Sequence, residues 1–105
     1  MPNYLIVAVH PPDLCPSANK SIRDMADAAG EAMPQLAESL GVTLQATYVP
    51  MTNHEIYVAC SADDADAVRE FAFQSQLGQW NTINIHQVST LEDAITKVHD
   101  LPTIY

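Results

Sequence analysis

Residues 42–60, VTLQATYVPMTNHEIYVAC, give the clearest indication of the fold of this chain. Two runs rich in β-branched and aromatic side chains, residues 42–49 and 55–60, flank the short segment 50–53, which contains a proline and an asparagine. Proline and asparagine are typical of turns, and the alternation of apolar and polar side chains in the two runs is typical of strands. The segment therefore predicts two antiparallel strands joined as a hairpin in the middle of the chain.

A strand and a long helix are predicted before the hairpin. Residues 4–10 form an apolar, β-rich run that stops at two consecutive prolines, which lack the amide hydrogens that a sheet needs. Ser17 is the predicted N-cap of the helix and Gly41 its stop signal. Gly30 and Pro34 are expected to kink the helix or to split it. Apolar residues recur along it at steps of three and four: Ile22, Met25, Ala26, Ala29, Met33, Leu36, Ala37 and Leu40.

A second helix, a last strand and a further short helix are predicted after the hairpin. Ser61 and Asp64 match a capping box and open a helix that runs towards Gly78. Residues 81–88 form the last strand, and Thr90 caps the last helix. The order β-α-β-β-α-β with an extra C-terminal helix is the ferredoxin-like, split βαβ pattern. We therefore predict a single α+β domain over residues 1–105, with an antiparallel sheet that carries helices on one face only.

The charge balance of the chain excludes two classes of partner. Its 13 acidic side chains outnumber the 4 basic ones, and the formal net charge at pH 7 is −9. Such a charge repels nucleic-acid phosphates and anionic lipid headgroups, so neither nucleic acid nor a membrane is an expected partner. The opening residues lack the basic and long apolar regions of a signal peptide, so we expect a cytoplasmic protein. A domain this small, without a disulfide framework, is expected to form a homodimer or a larger homo-oligomer.

The alternation within the strands divides the sheet residues between a face under the helices and an open face. We assign to the covered face Leu5, Val7, Val9, Val42, Leu44, Ala46, Tyr48, Ile56, Val58, Cys60, Ile83 and Ile85. We assign to the open face Tyr4, Ile6, Ala8, His10, Thr43, Gln45, Thr47, Val49, Glu55, Tyr57, Ala59, Thr82, Asn84, His86 and Val88. Such a mixed face suits either a contact with a second copy or a surface that holds a small molecule. On the second interpretation, Tyr57, Asn84 and His86 are the expected substrate-binding residues, with His10 nearby.

The predicted topology brings three separate segments to one edge of the sheet. The first strand ends there with His10 and leads into the loop that holds Cys15, and the hairpin turn supplies His54. Imidazole and thiolate groups are ligands of zinc, nickel, copper and iron. We therefore predict a transition-metal site with His10, Cys15 and His54 as ligands, with Asp13 or His86 as a candidate further ligand.

The two cysteines have different predicted roles. Cys15 precedes the first long helix, whose dipole would lower the pKa of the thiol and make it a good ligand or nucleophile. Cys60 falls among the apolar positions of its strand and is expected to belong to the core. Trp80 and Asn81 reach the same edge of the sheet as Cys15, from the junction before the last strand. The chemistry of this edge is therefore expected to depend on Cys15 and not on Cys60.

The second half of the chain resembles a known family. The segments YV at 48–49, EIYV at 55–58 and ADDADAVREFA at 62–72 carry the resemblance. They are similar to segments of the small dimeric ferredoxin-like (α+β barrel) proteins, and within these to the short nickel-binding family formerly described as a domain of unknown function. The resemblance implies dimerisation through the sheets and a bound transition metal.

The sequence leaves three functions open. The first is a homo-oligomeric protein that binds a transition-metal ion, such as nickel, zinc or copper, at the rim of the sheet. The second is a small-molecule enzyme of the dimeric α+β barrel type, an isomerase, lyase or cofactor-free oxygenase that uses the open face. The third is a structural or interaction module in which that face serves assembly alone.

Overall fold

Four antiparallel strands form one sheet in the computed structural model, which describes residues 1–105. The elements follow one another as β1 (Asn3–Val9), a 3-10 turn (Pro12–Leu14), α1 (Lys20–Ser39), β2 (Thr43–Tyr48), β3 (Glu55–Ser61), α2 (Ala65–Gln74), α3 (Leu77–Trp80), β4 (Thr82–Val88) and α4 (Leu91–Val98). The strands lie in the order β2-β3-β1-β4. The predicted ferredoxin-like α+β fold is therefore confirmed, and each strand begins and ends within one residue of its predicted bounds.

The first helix is more regular than predicted, and it begins two residues later. Asn19, and not Ser17, is its N-cap, since the Asn19 side chain accepts a hydrogen bond from the Ile22 amide at 3.0 Å. The helix runs through Pro34 without a break, so the predicted split is wrong. Gly41 follows the helix with a φ of 74°, a left-handed conformation that glycine adopts easily, and this stop signal is confirmed.

The later helices differ from prediction at their ends. Asp64 is the N-cap of α2 and accepts a hydrogen bond from the Ala67 amide at 3.0 Å, whereas Ser61 is the last residue of β3. The predicted capping box is therefore wrong. The helix also ends early, because Gln76 has a φ of 69° and separates α2 from the single turn of α3. The Thr90 cap is confirmed by the hydrogen bond of 3.1 Å that its hydroxyl accepts from the first turn of α4.

The predicted faces of β1 are reversed in the structure. The helices cover Tyr4, Ile6 and Ala8, which are all buried, and the open face carries Leu5, Val7 and Val9. β1 is a central strand with β3 and β4 as neighbours, and both of its faces are apolar. A strand that is apolar on both faces contains no alternation that fixes which face is buried, and this is why the prediction failed.

The second half of β2 is also turned over, because of a β-bulge. The pairing of β2 with β3 shifts between Leu44 and Ala46, where β2 has one residue more than its partner. Ala46 and Tyr48 therefore lie opposite Ala59 and Tyr57 on the open face, although the alternation predicts them on the covered face. The prediction is correct for Leu44, which precedes the bulge and packs against the core.

The hydrophobic core lies between the covered face of the sheet and helices α1 to α3. Its buried members are Tyr4, Ile6, Ala37, Val42, Val58, Cys60, Ala62, Val68, Phe71, Leu77 and Trp80. Burial raises the pKa of the Cys60 thiol, so this group stays neutral, and its predicted place in the core is confirmed. None of the helices is both long enough and apolar enough to cross a membrane.

The face that no helix covers is more apolar than predicted, because β1 and β2 present their other sides to it. We call this surface the open sheet face. Its apolar and aromatic members are Leu5, Val7, Val9, Ala46, Tyr48, Tyr57, Ala59 and Val88. Its polar members include Asn84, which lies opposite Val7, and His86, which lies opposite Leu5.

Candidate metal centre

Two histidines meet where β1 and β3 leave the sheet. His10 directly follows β1, and its backbone amide donates a hydrogen bond of 3.1 Å to the carbonyl of His54, one residue before β3. This bond continues the ladder one step beyond the pair formed by Val9 and Glu55. The two imidazole rings lie edge to face with their centroids 5.6 Å apart. The sheet itself therefore fixes the position of both rings.

A short loop holds Cys15 next to these histidines. The carbonyl of Cys15 accepts hydrogen bonds of 2.9 Å from two amides, one of them that of Asn19 at the start of α1. The Arg23 guanidinium donates to the carbonyls of Pro16 and Ser17 at 2.8 and 3.0 Å. These bonds attach the loop to the first turns of α1. The position of Cys15 thus depends on contacts within the chain and does not require a metal.

The three predicted metal ligands form one group. One ligand atom each from His10, Cys15 and His54 lies within 4.8 Å of the other two. His10 is buried, Cys15 is half-buried and His54 is exposed, so the group lies at the edge of the core and opens towards solvent. Ligands of a tetrahedral zinc ion are about 3.5 Å apart, given bonds of about 2.0–2.3 Å. A small inward movement of side chains is enough to close the group around an ion of this size.

The orientation of the His10 ring is set by Asn81. The side-chain amide nitrogen of Asn81 donates to the Leu77 carbonyl at 3.1 Å, which leaves its Oδ1 as an acceptor. This oxygen lies 2.8 Å from Nδ1 of His10, so the Nδ1–H donates to it and the ring carries its free lone pair on Nε2. Trp80 packs against the same ring with the centroids 5.0 Å apart. Metal-binding histidines usually donate their second ring nitrogen to an oxygen in this way.

The Nε2 atom of His10 has no hydrogen-bond partner. His10 is only 6% exposed, and Nε2 is inaccessible to solvent. A buried polar atom that makes no hydrogen bond costs about 1–3 kcal/mol, so such atoms are rare in folded proteins. His10 belongs to the same group as Cys15 and His54. Because Nδ1 is bonded to Asn81, Nε2 is the nitrogen left to bind a metal ion, which would give it the partner that it lacks.

Cys15 is a thiolate at neutral pH. The Ser17 hydroxyl donates a hydrogen bond of 3.0 Å to its sulfur. This bond and the Ser17 backbone amide are the two largest causes that lower the pKa of the thiol from 9.0 to about 6. Each of these interactions favours the charged form of the sulfur. Because metals bind the thiolate, the sulfur is in the form that a metal needs.

The two candidate further ligands lie outside this group. Asp13 is part of the turn before Cys15, where its carbonyl accepts a hydrogen bond of 3.1 Å from the Asn19 side chain. His86 lies in the middle of β4, opposite Leu5, and therefore on the open sheet face. His10 belongs to the covered side, so the prediction that it shares the open face with His86 is wrong.

The three predicted substrate-binding residues share the open sheet face. Tyr57 donates a short hydrogen bond to the carboxylate of Glu55. This bond, together with burial and the charge of Glu55, raises the pKa of the Tyr57 hydroxyl. Asn84 borders a cavity of about 640 Å³ between α2 and β4, which neither Tyr57 nor His86 lines. The assignment of Tyr57, Asn84 and His86 to a substrate stays a prediction.

Two residues that contact the proposed ligands had no predicted role in the metal site. Asn81 was expected at this edge of the sheet, but its bond to His10 joins residues 71 positions apart and follows no sequence motif. Ser17 was interpreted as a helix cap, although its hydroxyl donates to Cys15. The spacing of Cys15 and Ser17 in CPS is the only local signal that would have suggested this contact.

Comparison with known proteins adds no family to this description. No protein-family model matches the chain, and no curated protein matches it either. The function is therefore inferred from the geometry and chemistry of the residues themselves.

Proposed function

We propose that this chain is a homo-oligomeric protein that binds a transition-metal ion through His10, Cys15 and His54. The observation that carries the proposal is the His10 ring, whose Nδ1 is held by Asn81 and whose buried Nε2 has no partner. A histidine with only a structural role in the core can have both ring nitrogens hydrogen-bonded. A histidine that binds a metal must keep one ring nitrogen free for the ion. The nearby thiolate of Cys15 supplies the negative charge that a divalent cation favours.

The ligand set narrows the choice of metal. Two imidazoles and one thiolate suit nickel, zinc and copper, and they suit magnesium and calcium poorly because those ions prefer oxygen ligands. An ion that has three protein ligands keeps a further position for water or a small molecule. Nickel is the member of this set that the family resemblance favours. The chain would store, sense or use the ion, and a cytoplasmic location would keep its two free cysteines reduced.

We further propose that a second copy of the chain covers the open sheet face. An antiparallel sheet that faces water normally alternates apolar and polar residues, with the polar ones outside. Here Leu5, Val7 and Val9 all lie on the uncovered side of the central strand β1. Val9 and Tyr48 are exposed by 36% and 64% in the single chain. Burial of these side chains against a second copy would remove their apolar surface from water.

The metal proposal is tested by the metal content of untagged protein purified without added metal. We expect a stoichiometric transition metal in the wild-type chain and none in the double variant His10→Ala, His54→Ala. The matched control is the double variant His86→Ala, His99→Ala, which also removes two histidines but lies away from the site. The control is expected to keep the metal.

Titration of metal-free protein with nickel, zinc and copper compares the metal affinity of the wild type with that of the two double variants. Affinity that is lost in the first double variant and kept in the control supports the site. Wild-type protein that binds none of the three metals at micromolar concentration would show that His10, Cys15 and His54 are not metal ligands. Loss of metal from the control alone would instead point to His86 as a ligand.

A thiol nucleophile is the second candidate function, and a specific observation favours it. The side chain of His10 lies between those of Cys15 and Asn81 in space. This is the arrangement of a nucleophile, a base and a residue that orients the base. In this reaction the Cys15 thiolate would attack the acyl carbon of an ester, the C–S bond would form as the bond from that carbon to the leaving-group oxygen breaks, and p-nitrophenolate would depart with the electron pair of the broken bond. A burst of p-nitrophenol from p-nitrophenyl acetate, equal to the enzyme concentration and absent from Cys15→Ala, would support this function in metal-free protein.

A further inference from the structure

The C-terminal helix α4 has an apolar side that nothing in the chain covers. Leu91, Ala94, Ile95 and Val98 recur at steps of three and four and therefore lie on one side of the helix. No residue of α4 is buried, and Leu91, Ile95 and Val98 are exposed by 74%, 49% and 60%. A helix of eight residues is too short to be stable by itself in water, so it depends on a packing partner.

The overall dimensions are larger than those of a compact domain, and α4 has no buried residue. The radius of gyration is 16.0 Å, whereas a compact domain of 105 residues has about 13 Å. The accessible surface is 7200 Å², whereas a compact monomer of 11.5 kDa exposes about 5,800 Å². The chain thus exposes an excess of roughly 1,400 Å², which exceeds the ~800 Å² that each partner buries in a standard protein interface. This excess is typical of a subunit that is separated from its partner.

The open sheet face is the surface that best matches the apolar side of α4. It presents the aliphatic side chains Leu5, Val7 and Val9 along its central strand. The groove between α2 and β4 is a second candidate surface, with the apolar Phe73 and Ile83 and the charged Arg69 among its lining residues. An apolar helix side that packed in this groove would desolvate the Arg69 guanidinium, whereas the central strand β1 of the open sheet face has no charged side chain.

The junction between β4 and α4 is short, and α4 buries no residue against its own sheet. Thr90 has φ −67° and ψ 155°, an extended conformation, and its hydroxyl accepts the amide of Asp93 at 3.1 Å. Only residues 89 and 90 separate β4 from α4, so the cap fixes the direction in which the helix leaves. A helix fixed in this way can reach the sheet of another copy without a change in its own junction.

We infer that two copies of the chain exchange their C-terminal helices, so that α4 of each packs against the open sheet face of the other. The inference rests on the self-association proposed above and not on the metal site. In a two-fold symmetric dimer each copy donates one helix and accepts one, so the same contacts occur twice. The exchange covers both apolar surfaces that the single chain leaves uncovered, and it accounts for the excess accessible surface.

The first test compares the masses of variants by sedimentation equilibrium over a range of concentrations. The wild-type chain of 11.5 kDa is expected to form a dimer of twice that mass. The variant Ile95→Glu, Val98→Glu is expected to weaken dimerisation ~100-fold or more, since it places charges where apolar side chains would be buried. Thr96→Glu is the matched control, because it adds charge to the same helix at an exposed position outside the apolar side. Circular dichroism must show that both variants keep the fold.

A third variant separates failure of the exchange from failure of the dimer. Val7→Glu places a charge on the open sheet face itself and is expected to give monomers. If Val7→Glu gives monomers while Ile95→Glu, Val98→Glu remains dimeric, the sheet still forms the interface and the helix exchange is wrong. A wild-type chain that stays monomeric at millimolar concentration would contradict both the exchange and the proposed self-association, and it would leave the metal proposal intact.

The second test identifies the acceptor by photo-crosslinking. A photoreactive amino acid replaces Ile95 in a 1:1 mixture of ¹⁵N-labelled and unlabelled protein. Crosslinks from the α4 peptide to the β1 peptide, in pairs of mixed isotope composition, support the exchange. Pairs of uniform composition only would show that α4 folds back onto its own sheet, and crosslinks to α2 would show that it occupies the groove. Both of these results would overturn the inference.

Discussion

The metal site of His10, Cys15 and His54, which we call the rim, and helix α4 differ in how many contacts the rest of the chain makes with them. At the rim, ladder bonds, a 3-10 turn and the Asn81 side chain hold His10 and Cys15 in place, and the one buried polar atom without a partner is Nε2 of His10. In α4, the cap at Thr90 is satisfied, yet no residue is buried. The rim therefore lacks a ligand for one atom, while α4 lacks a surface for a whole side of a helix.

This contrast indicates two kinds of missing partner. A single free nitrogen beside a thiolate can be satisfied by an ion, which is small and forms a few directional bonds. An apolar helix side can be satisfied only by a large apolar surface, because the hydrophobic effect scales with area. The chemistry at the rim thus points to a metal, and the area around α4 points to another protein surface.

Hydrogen exchange should show the largest difference between the two regions. The amides of β1 and β3 open only with the whole domain, so in dilute protein they are expected to exchange on the order of 10⁴-fold more slowly than those of α4. Raising the protein concentration should protect α4 if it packs against a second copy. Protection of α4 that is independent of concentration would argue for an intramolecular partner. Mass spectrometry of peptides measures both.

Two phenylalanines on α2 differ in burial, and replacing each one tests how much it contributes to the free energy of unfolding. Phe71 is fully buried, and Phe71→Ala is expected to lower the free energy of unfolding by about 3–5 kcal/mol through the cavity that it leaves. Phe73 is 75% exposed, and Phe73→Ala should change it by less than about 0.5 kcal/mol. Urea denaturation gives both values. Similar values for the two variants would mean that Phe73 is buried in the native assembly.

The role of Asn81 gives the next largest effect. Asn81→Ala removes the acceptor of the His10 Nδ1–H, and a loss of about 10–100-fold in metal affinity is expected. Asn81→Asp should restore most of it, because a carboxylate accepts the same hydrogen bond. Asn84→Ala, on the open sheet face, is the control and should bind metal like the wild type. Equal affinity in all three variants would show that the orientation of His10 does not matter for metal binding.

The pH dependence of Cys15 gives the smallest effect. With a pKa of about 6, the thiol of Cys15 is mostly ionised at pH 7 in the metal-free protein. The thiolate is the reactive form, so alkylation of the metal-free protein by iodoacetamide should decline as the pH falls through about 6. Metal retention should decline at lower pH, because the bound ion competes with the proton for the sulfur. Ser17→Ala removes the largest cause of the lowered pKa, and the midpoint of the alkylation profile should move to higher pH.

Ser21→Ala controls for the loss of a hydroxyl near the start of α1. It should leave the alkylation profile unchanged, since Ser21 is exposed and does not contact Cys15. Cys60 serves as an internal reference, because a buried neutral thiol reacts slowly in folded protein. A profile for Ser17→Ala that matches the wild type would mean that the Ser17 hydroxyl does not lower the pKa of Cys15.

Sequence patterns predicted the metal group because the required information is topological. Once the order of strands and helices is known, the ends of β1 and β3 must meet at one edge, and His10 and His54 lie at those ends. The distance between the ligand atoms and the orientation of the His10 ring could not be predicted. They depend on Asn81 and Trp80, which are remote in sequence and pack against His10 only in the folded chain.

The type and order of the elements follow from local sequence, because hydrophobic periodicity and turn residues act over a few neighbouring positions. The buried side of β1 does not follow from it, since both sides are apolar and the choice depends on what packs above the strand in the folded chain. The folded chain also leaves the apolar side of α4 uncovered, whereas the amphipathic pattern of this segment predicts a helix but not its partner. The alternation of a strand and the period of a helix are local properties, whereas the surface that covers them is set by the rest of the molecule or by another copy of it.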